Sequence, residues 1–471
     1  MAKIYAVTNV PPEVSAYGMA KYSRSSSPLA DTLQEISQEK AVDFLNTFYF
    51  SYGHASIADL AHIVLAIEDI SLLAAMTVVD ESLWDGQERS TRYQDFSHSP
   101  YYRPVGASPE FDHLCGQLFD FYGELLKASL ETLWDRYRRP EHMTKGAYQR
   151  TMQARAFDIA RYALPLATLT SVGQVTSARV LEQQISRLLT SEYAEVRDVA
   201  QEMKLAVTER PAFSLTESPL QPLAPTLIKY ANASPYLADL TARLKTLAAD
   251  IFCSVPPLSD NSPVALFMAS DPITDGLAIA FYGATTLPFG WIREVLHDLS
   301  APAQAELVDD LFQRRGAHDE WPKFFRTGTL IFDILMDIGA FRDFNRHRRL
   351  NKVVQPVDIH QGFTEPEMLQ ELAVPVDYQS WMEKYYRSLG DDGIAPFDTP
   401  YLLPLAHRRR ALFVMDPAQA AYIIELRSRS AGHFSYRQIA VQMHYSLQQV
   451  LPGLARHIRV TPLEEFDPFQ R

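Results

Sequence analysis

Cysteine is almost missing. Cys115 and Cys253 stand far apart without a CxxC or CxxH neighbour, which excludes a disulfide framework and a zinc finger and points to a reducing cytoplasm. The chain also lacks a GxGxxG turn, a Walker A loop, a GxSxG elbow and an HExxH helix, so Rossmann, P-loop, serine-hydrolase and zincin readings have no support. His54 with His62, and His318 with Asp319 and Glu320, match no 2-His-1-carboxylate pattern, and no metal is expected. A bilayer span needs roughly 20 residues with few charges; the most apolar window, Ala61 to Val79, is interrupted by Glu68 and Asp69 and ended by Asp80 and Glu81. It reads as a buried helix. The opening MAKIYAVTNVPPEV breaks early at Pro11 and Pro12 and reads as a first strand, not a signal peptide. Positive charge is also short, with 44 Lys and Arg against 57 Asp and Glu and a net charge of −13, so nothing global draws the chain to nucleic-acid polymers or anionic membranes. With 47% apolar and 21% charged residues, it has the balance of a water-soluble protein with sizeable cores.

What is present is a repeat. Tyr162 to Ala167 reads YALPLA and Tyr401 to Ala406 reads YLLPLA; Arg187 with Arg427, Arg197 with Arg437, Ala200 with Ala440 and Met203 with Met443 continue the match one residue out of step. A single loop deletion produces such drift. Pro211, Pro219, Pro222 and Pro225 mark a linker between the halves, giving repeats at 1–222 and 226–471. Each half reads as strands mixed with long helices, an α+β pattern without βαβ alternation. Val180, Leu181, Ile185, Leu188 and Leu189 recur at helical spacing, as do Ala421, Ile424, Ile439 and Met443.

Arginine is concentrated where an acidic chain has least reason to place it. Arg342, Arg346, His347, Arg348 and Arg349 crowd together, and His407 to Arg410 reads HRRR. A solvated basic face accounts for such a run taken alone. Yet Arg342, Arg346 and Arg349, at three- and four-residue spacing on the end of an apolar helix, repel one another by a few tenths of a kcal/mol per pair, and an anionic ligand relieves that repulsion.

On these residues the chain resembles the flavin-dependent thymidylate synthases, whose signature is RHR, seven residues, Ser, then Arg two positions later, downstream of a GHxSxxE helix start. In the first half Gly53, His54, Ser56 and Asp59 resemble the helix start, and Glu88, Ser90, Arg92 and Tyr93 the distal signature, while Asp80, Glu81 and Ser82 replace RHR. In the second half Arg346, His347 and Arg348 match RHR, while Pro356 and Asp358 replace the distal Ser and Arg. The arginine before the LPL segment survives as Arg161 and is lost as Pro400; the last-helix arginine is Arg427, with Arg187 near the equivalent first-half place, one residue out of register.

The losses are complementary. In single-repeat members of the family one nucleotide pocket draws the RHR and last-helix arginines from one chain, and the Ser, distal Arg and LPL-preceding Arg from its partner. The resemblance therefore implies an intramolecular pseudo-dimer with one complete pocket, two such chains pairing as a homodimer. It implies Glu88, Ser90, Arg92, Arg161, Asp343 and Arg346 as substrate-binding residues and Arg427 as the catalytic arginine at the pyrimidine ring. Ser56, Ser177, Arg179, Arg346, His347 and Arg348 would hold FAD, with NADPH and methylenetetrahydrofolate as co-substrates. The implied reaction is C5 methylation of a pyrimidine nucleotide, dUMP by default. Asp343, where the family has Gln, leaves UMP, CMP or dCMP open, and a non-catalytic paralogue is the competing class.

Overall fold

In the computed structural model the described residues are 9–22, 33, 55–213, 221–252, 263–268, 270–390, 393–463 and 469. The expected N-terminal strand, Gly53, His54 and Cys253 lie outside them. The chain forms two compact units: Met1–Arg89 with Tyr101–Gly106 and Thr168–Pro257, and Ser90–Pro100 with Ala107–Ala167 and Leu258–Arg471. No helix among the described residues is long and apolar enough to cross a membrane.

The first unit is built on a three-stranded antiparallel sheet, order β1-β3-β2, from β1 (His62–Ser71), β2 (Asp85–Glu88) and β3 (Leu169–Ser177). The window read as one buried helix is therefore a strand followed by a short helix, Leu72–Val78. The physical reason lies in Ile63, Val64, Leu65 and Ile67, whose burial alternates along the strand at the period of two that a pleated sheet imposes. Glu68 and Asp69 fall at a register break between Ile67 and Ile70, with Asp69 at φ 54°, so the charges that interrupt the apolar run sit on a bulge.

The second unit carries a four-stranded antiparallel sheet, order β4-β5-β7-β6, from β4 (Val264–Met268), β5 (Leu330–Asp337), β6 (Asn351–Val354) and β7 (Arg408–Met415). The three arginines of the HRRR run open β7: Arg410 pairs with Asp333 at 3.0 Å and Arg409 lies over the Phe341 ring at 5.1 Å, so those arginines are structural. This unit also contains the helical pair Pro109–Arg136 and Lys145–Ala160 and the segment that follows it.

The two sheets repeat one design. β1-β3-β2 and β5-β7-β6 have the same order and pairing sense, and β1, β3, β5 and β7 each run into a helix through an N-cap side chain: Ser71, Ser177, Asp337 and Asp416 accept from the backbone N–H three residues on. At the first of these caps Ser71 Oγ donates to Glu195 at 2.5 Å. At the equivalent cap, Ser435 Oγ donates to Asp337. Offsets of 266 and 240 bring these pairs into register, with hydroxyl and carboxylate exchanged between strand end and helix.

The LPLA segments meet inside the second unit. Pro165 and Pro404 form an antiparallel bridge; Leu166 N–H donates to Leu403 C=O and Leu405 N–H to Leu164 C=O, while Ala167 N–H donates to Tyr401 C=O and Ala406 N–H to Tyr162 C=O. A local two-fold through the prolines exchanges these bonds. It is the repeat's offset of 239 expressed as geometry.

Beside this junction His407 is 1% exposed and its Nδ1 meets the Tyr386 hydroxyl at 2.8 Å. Burial, helped by Arg409, lowers its pKa to about 4. Because the unfolded imidazole takes a proton near pH 6.5 and the folded one resists it, stability is full above that pH and falls on acidification, by about 1.4 kcal/mol per pH unit down to the folded value. Between pH 6.5 and 5.5 this residue contributes about 1 kcal/mol, so the stability lost over that step in urea unfolding should be smaller by that amount in His407→Phe than in wild type.

Candidate nucleotide site in the second unit

Ser90 and Arg92, the signature fragment kept by the first repeat, belong to the second unit, whereas Glu88 ends β2 in the first. Arg92 Nε and Nη2 donate to both oxygens of Asp158 at 2.6 and 3.0 Å, the bidentate fork that suits a guanidinium to a carboxylate. Ser90 Oγ accepts from the Arg92 backbone N–H at 3.2 Å. Burial alone would raise the Asp158 carboxyl, but the Arg92 guanidinium overrides it and holds the group well below the carboxylate range; Arg92 is correspondingly raised. Arg155, buried, reaches Asp158 at 3.4 Å.

Arg161 follows the Lys145–Ala160 helix and is 2% exposed. Its Nε and Nη2 have no hydrogen-bond partner. Gly339, at the start of the Ile338–Asn345 helix, makes room for it: a Cβ there would sit 3.0 Å from Arg161 Nη2 and from Asp337 Oδ1. Unsatisfied donors on a buried cation are costly, and an anion is what they lack.

The Ile338–Asn345 helix stops sooner than the arginine spacing implies. Arg342 lies in its last turn, Arg346 is its C-cap, and Arg349 lies beyond it, exposed and 3.8 Å from Asp416. The first two sit where the helix dipole favours cations, so only they share the helix end. Arg342 reaches Thr91 Oγ1 at 3.5 Å.

Asp343 pairs with Arg346 and with Arg427, whose Nη1 lies 3.5 Å from its carboxylate and whose Nη2 donates to its backbone C=O at 2.6 Å. Burial opposes ionisation, yet Arg346, Arg427, Arg161 and Arg92 together hold the carboxyl well below its ordinary range. Arginines of both repeats thus act on one carboxylate. Arg427 Nε donates to His347 Nε2 at 3.0 Å, which requires that nitrogen to be unprotonated; burial, then Arg427 and Arg346, push the His347 pKa well below its usual value. Across the cluster Arg92, Arg155, Arg161, Arg342, Arg346 and Arg427 outnumber Asp158, Asp337 and Asp343, leaving an excess of positive charge.

The first unit holds the same construction with the charge cancelled. Arg187 Nε donates to Glu81 at 2.9 Å and Nη2 to Thr77 C=O at 3.0 Å, matching Arg427 with His347 and with the backbone of Asp343 bond for bond. The one-residue slip at Arg187 shows in the helices themselves, since Arg187 lies ten residues after the cap Ser177 and Arg427 eleven after the cap Asp416, yet the two arginines make equivalent bonds. Glu81, at the RHR histidine position, makes the mirror arginine an internal ion pair.

A cavity of about 480 Å³ adjoins the cluster through Arg346 and His347; Arg348, Arg349, Trp321 and Tyr422 contribute to its lining, all within the second unit. The other residues expected to hold FAD belong to the first unit. Ser177 Oγ caps the Ala178–Leu189 helix, Arg179 pairs with Asp59 at 3.0 Å on the surface, and Ser56 lies on the turn Ala55–Leu60. Asp158, His433 and Tyr436 were not legible as site residues, since none falls in a repeated motif. His433 Nε2 meets Asp158 C=O at 3.0 Å while its Nδ1 accepts from the Ser435 N–H. Cys115 is buried and its thiol is pushed up to about 12, chiefly by burial, so it offers no nucleophile.

The chain is 26% identical to a UPF0159 protein of Chlamydia muridarum over 98% of its own length and 93% of that protein's. It is 27% identical to a UPF0159 protein of Thermoplasma acidophilum, over 94% of both. A flavin-dependent thymidylate synthase of Clostridium tetani is 25% identical over 47% of this chain and 83% of its own. The crystal structure of a UMP/dUMP methylase from Streptomyces cacaoi bound with 5-Br dUMP aligns with a TM-score of 0.31 and 15% identity, covering 43% of this chain and 99% of that one, a likeness too slight to argue from. The model of the Thymidylate synthase complementing protein family matches residues 6–210 and again 282–453, and with both repeats accounted for the chain belongs to that family.

Proposed function

We propose that the second unit holds one pyrimidine nucleoside monophosphate and that the chain methylates its base at C5 with a flavin cofactor, dUMP being the default substrate. The observation that carries this reading is that Arg346 and Arg427 of the second repeat pair with Asp343 while Arg161 of the first repeat, buried in the same unit, has two guanidinium nitrogens without a partner. A phosphate dianion needs permanently charged donors; Arg161 offers the unpaired fork, Arg92 the Nη1 that Asp158 does not engage, and Arg346 a further charge, with Ser90 beside Arg92. Arg427, fixed by His347 and by Asp343, is suited to stabilise negative charge that builds in the pyrimidine ring as C5 becomes nucleophilic. The self-complementary LPLA pairing supports an intramolecular pseudo-dimer of repeats at 1–222 and 226–471. Exposed Tyr282, Phe289, Trp291 and Val295 offer apolar surface for a homodimer.

The residues around the cavity fit a flavin dinucleotide. Guanidiniums of Arg346, Arg348 and Arg349 suit a pyrophosphate, and the exposed Tyr422 offers a ring face. When bound, FAD supplies the redox chemistry that reduces the transferred one-carbon unit, with NADPH as reductant and methylenetetrahydrofolate as carbon donor. The chain's own task is to hold the neutral imidazole of His347 against Arg427 and to keep the base beside that guanidinium.

The test is purification of the chain with FAD, absorbance measurement, and a flavin-oxidation assay against dUMP, UMP, dCMP and CMP. A yellow protein whose reduced flavin is reoxidised only with nucleotide and folate present supports the enzyme. A colourless chain that FAD does not reconstitute and that binds nucleotide without turnover supports the non-catalytic paralogue. Because Asp343 is engaged with Arg346 and Arg427, Asp343→Gln should weaken all four nucleotides alike, by about 1 to 3 kcal/mol, without changing their order. Calorimetric titration of each nucleotide checks this, and a shift in favour of the uracil nucleotides would assign Asp343 to reading the base.

A further inference from the structure

Between Arg92 and Arg427 stands one aromatic ring. Tyr436 opens the Phe434–Val450 helix and is 6% exposed. Its hydroxyl lies 3.4 Å from Arg92 Nη1, the guanidinium nitrogen that Asp158 does not engage, and its ring carries the Arg427 guanidinium at 5.3 Å from the centroid. The two arginines come from different repeats. We infer that Tyr436 is a positioning residue coupling them, holding Arg92 for the phosphate through its hydroxyl and Arg427 for the base through its ring face. The inference rests on the nucleotide reading above and goes beyond it by assigning a residue to the junction of the two half-sites.

Three further observations support the assignment. Cation–π contact restrains a guanidinium laterally without occupying its N–H donors, so Arg427 keeps its bonds to His347 and Asp343. The backbone is cut away to admit the ring: a Cβ on Gly432 would lie 2.7 Å from Tyr436 Cε2 and 2.9 Å from Arg429 C=O. Lastly, the equivalent position in the first repeat, at the offset of 240, is Val196, fully buried. The aromatic ring stands only in the repeat whose arginine faces a neutral histidine, and the repeat whose arginine is spent on Glu81 has an aliphatic core residue in its place.

The two contacts separate by substitution. Tyr436→Phe keeps the ring and removes the hydroxyl; Tyr436→Val installs the first repeat's residue and removes both. Dissociation constants for dUMP and for deoxyuridine would be measured by calorimetry on the full chain, with thermal unfolding as a control for folding. For Tyr436→Phe, affinity for dUMP should fall about 3- to 10-fold while affinity for deoxyuridine, which has no phosphate, stays within about 2-fold. For Tyr436→Val, both should fall, deoxyuridine by about 3-fold or more. A purely structural tyrosine would weaken both ligands equally in the Phe variant, and that result, or an unchanged dUMP affinity in both variants, overturns the inference. Wild-type chain that binds none of dUMP, UMP, dCMP or CMP overturns the nucleotide reading itself, and the inference with it. That failure is visible before any variant is made.

Discussion

Arg161→Met should cost the chain its nucleotide and no stability. Affinity for dUMP is expected to fall about 30-fold or more, the equivalent of about 2 kcal/mol for a lost charge-assisted contact. The unliganded protein should be at least as stable as wild type and up to about 2 kcal/mol more so. The reason is the state of the side chain: nearly all of Arg161 is buried, and two of its three guanidinium nitrogens have no partner. Methionine fills much of the same space with a flexible apolar chain, and exchanging a poorly paired buried charge for a hydrophobe is often neutral or stabilising. Urea unfolding and calorimetric titration read the two quantities separately. A variant that loses stability while keeping its affinity would make Arg161 a structural residue.

Arg92→Met should have the opposite effect on stability. This arginine is satisfied, through two bonds to Asp158, and the carboxylate is 1% exposed. Removing the guanidinium leaves Asp158 with Arg155 alone, at 3.4 Å, and breaking one side of a buried pair costs about 3 to 5 kcal/mol. Asp158→Asn added to Arg92→Met should restore a large part of the loss, because a neutral amide tolerates burial better than an unpaired carboxylate. The double variant should remain unable to bind dUMP tightly. Chemical denaturation of wild type, both single variants and the double variant completes the cycle, and a single Arg92 variant as stable as wild type would remove the Asp158 pair from the account.

These contrasting arginines show what is legible in a sequence and what is not. The duplication was legible because LPLA and the helix positions Arg187 and Arg427 recur at a nearly constant offset, and an offset survives while motifs decay. The sorting of RHR to one half and the distal Arg to the other was legible because each surviving fragment still matches the family signature at its fixed spacing. Asp158 was not, since its counterpart in the second repeat is Phe397 and nothing local marks an aspartate near the end of a helix as the partner of an arginine 66 residues away. Tyr436 was hidden similarly, its counterpart being Val196. The strand His62–Ser71 was misread because Glu68 and Asp69 blur the alternation of two at its far end, and an apolar stretch that continues into a capped helix shows no boundary except Ser71. Long-range pairing is a property of the fold, and periodicity reports only on the element.

The central claim is that two decayed repeats make one site, and the stoichiometry of dUMP binding tests it most directly. Isothermal titration of the wild-type chain should give one dUMP per chain. That single site should disappear with Arg161→Met, from the first repeat, and with Arg427→Met, from the second, and persist with Arg187→Met, whose arginine is already paired with Glu81. Two dUMP per chain, or a site that survives both Arg161→Met and Arg427→Met, would contradict it.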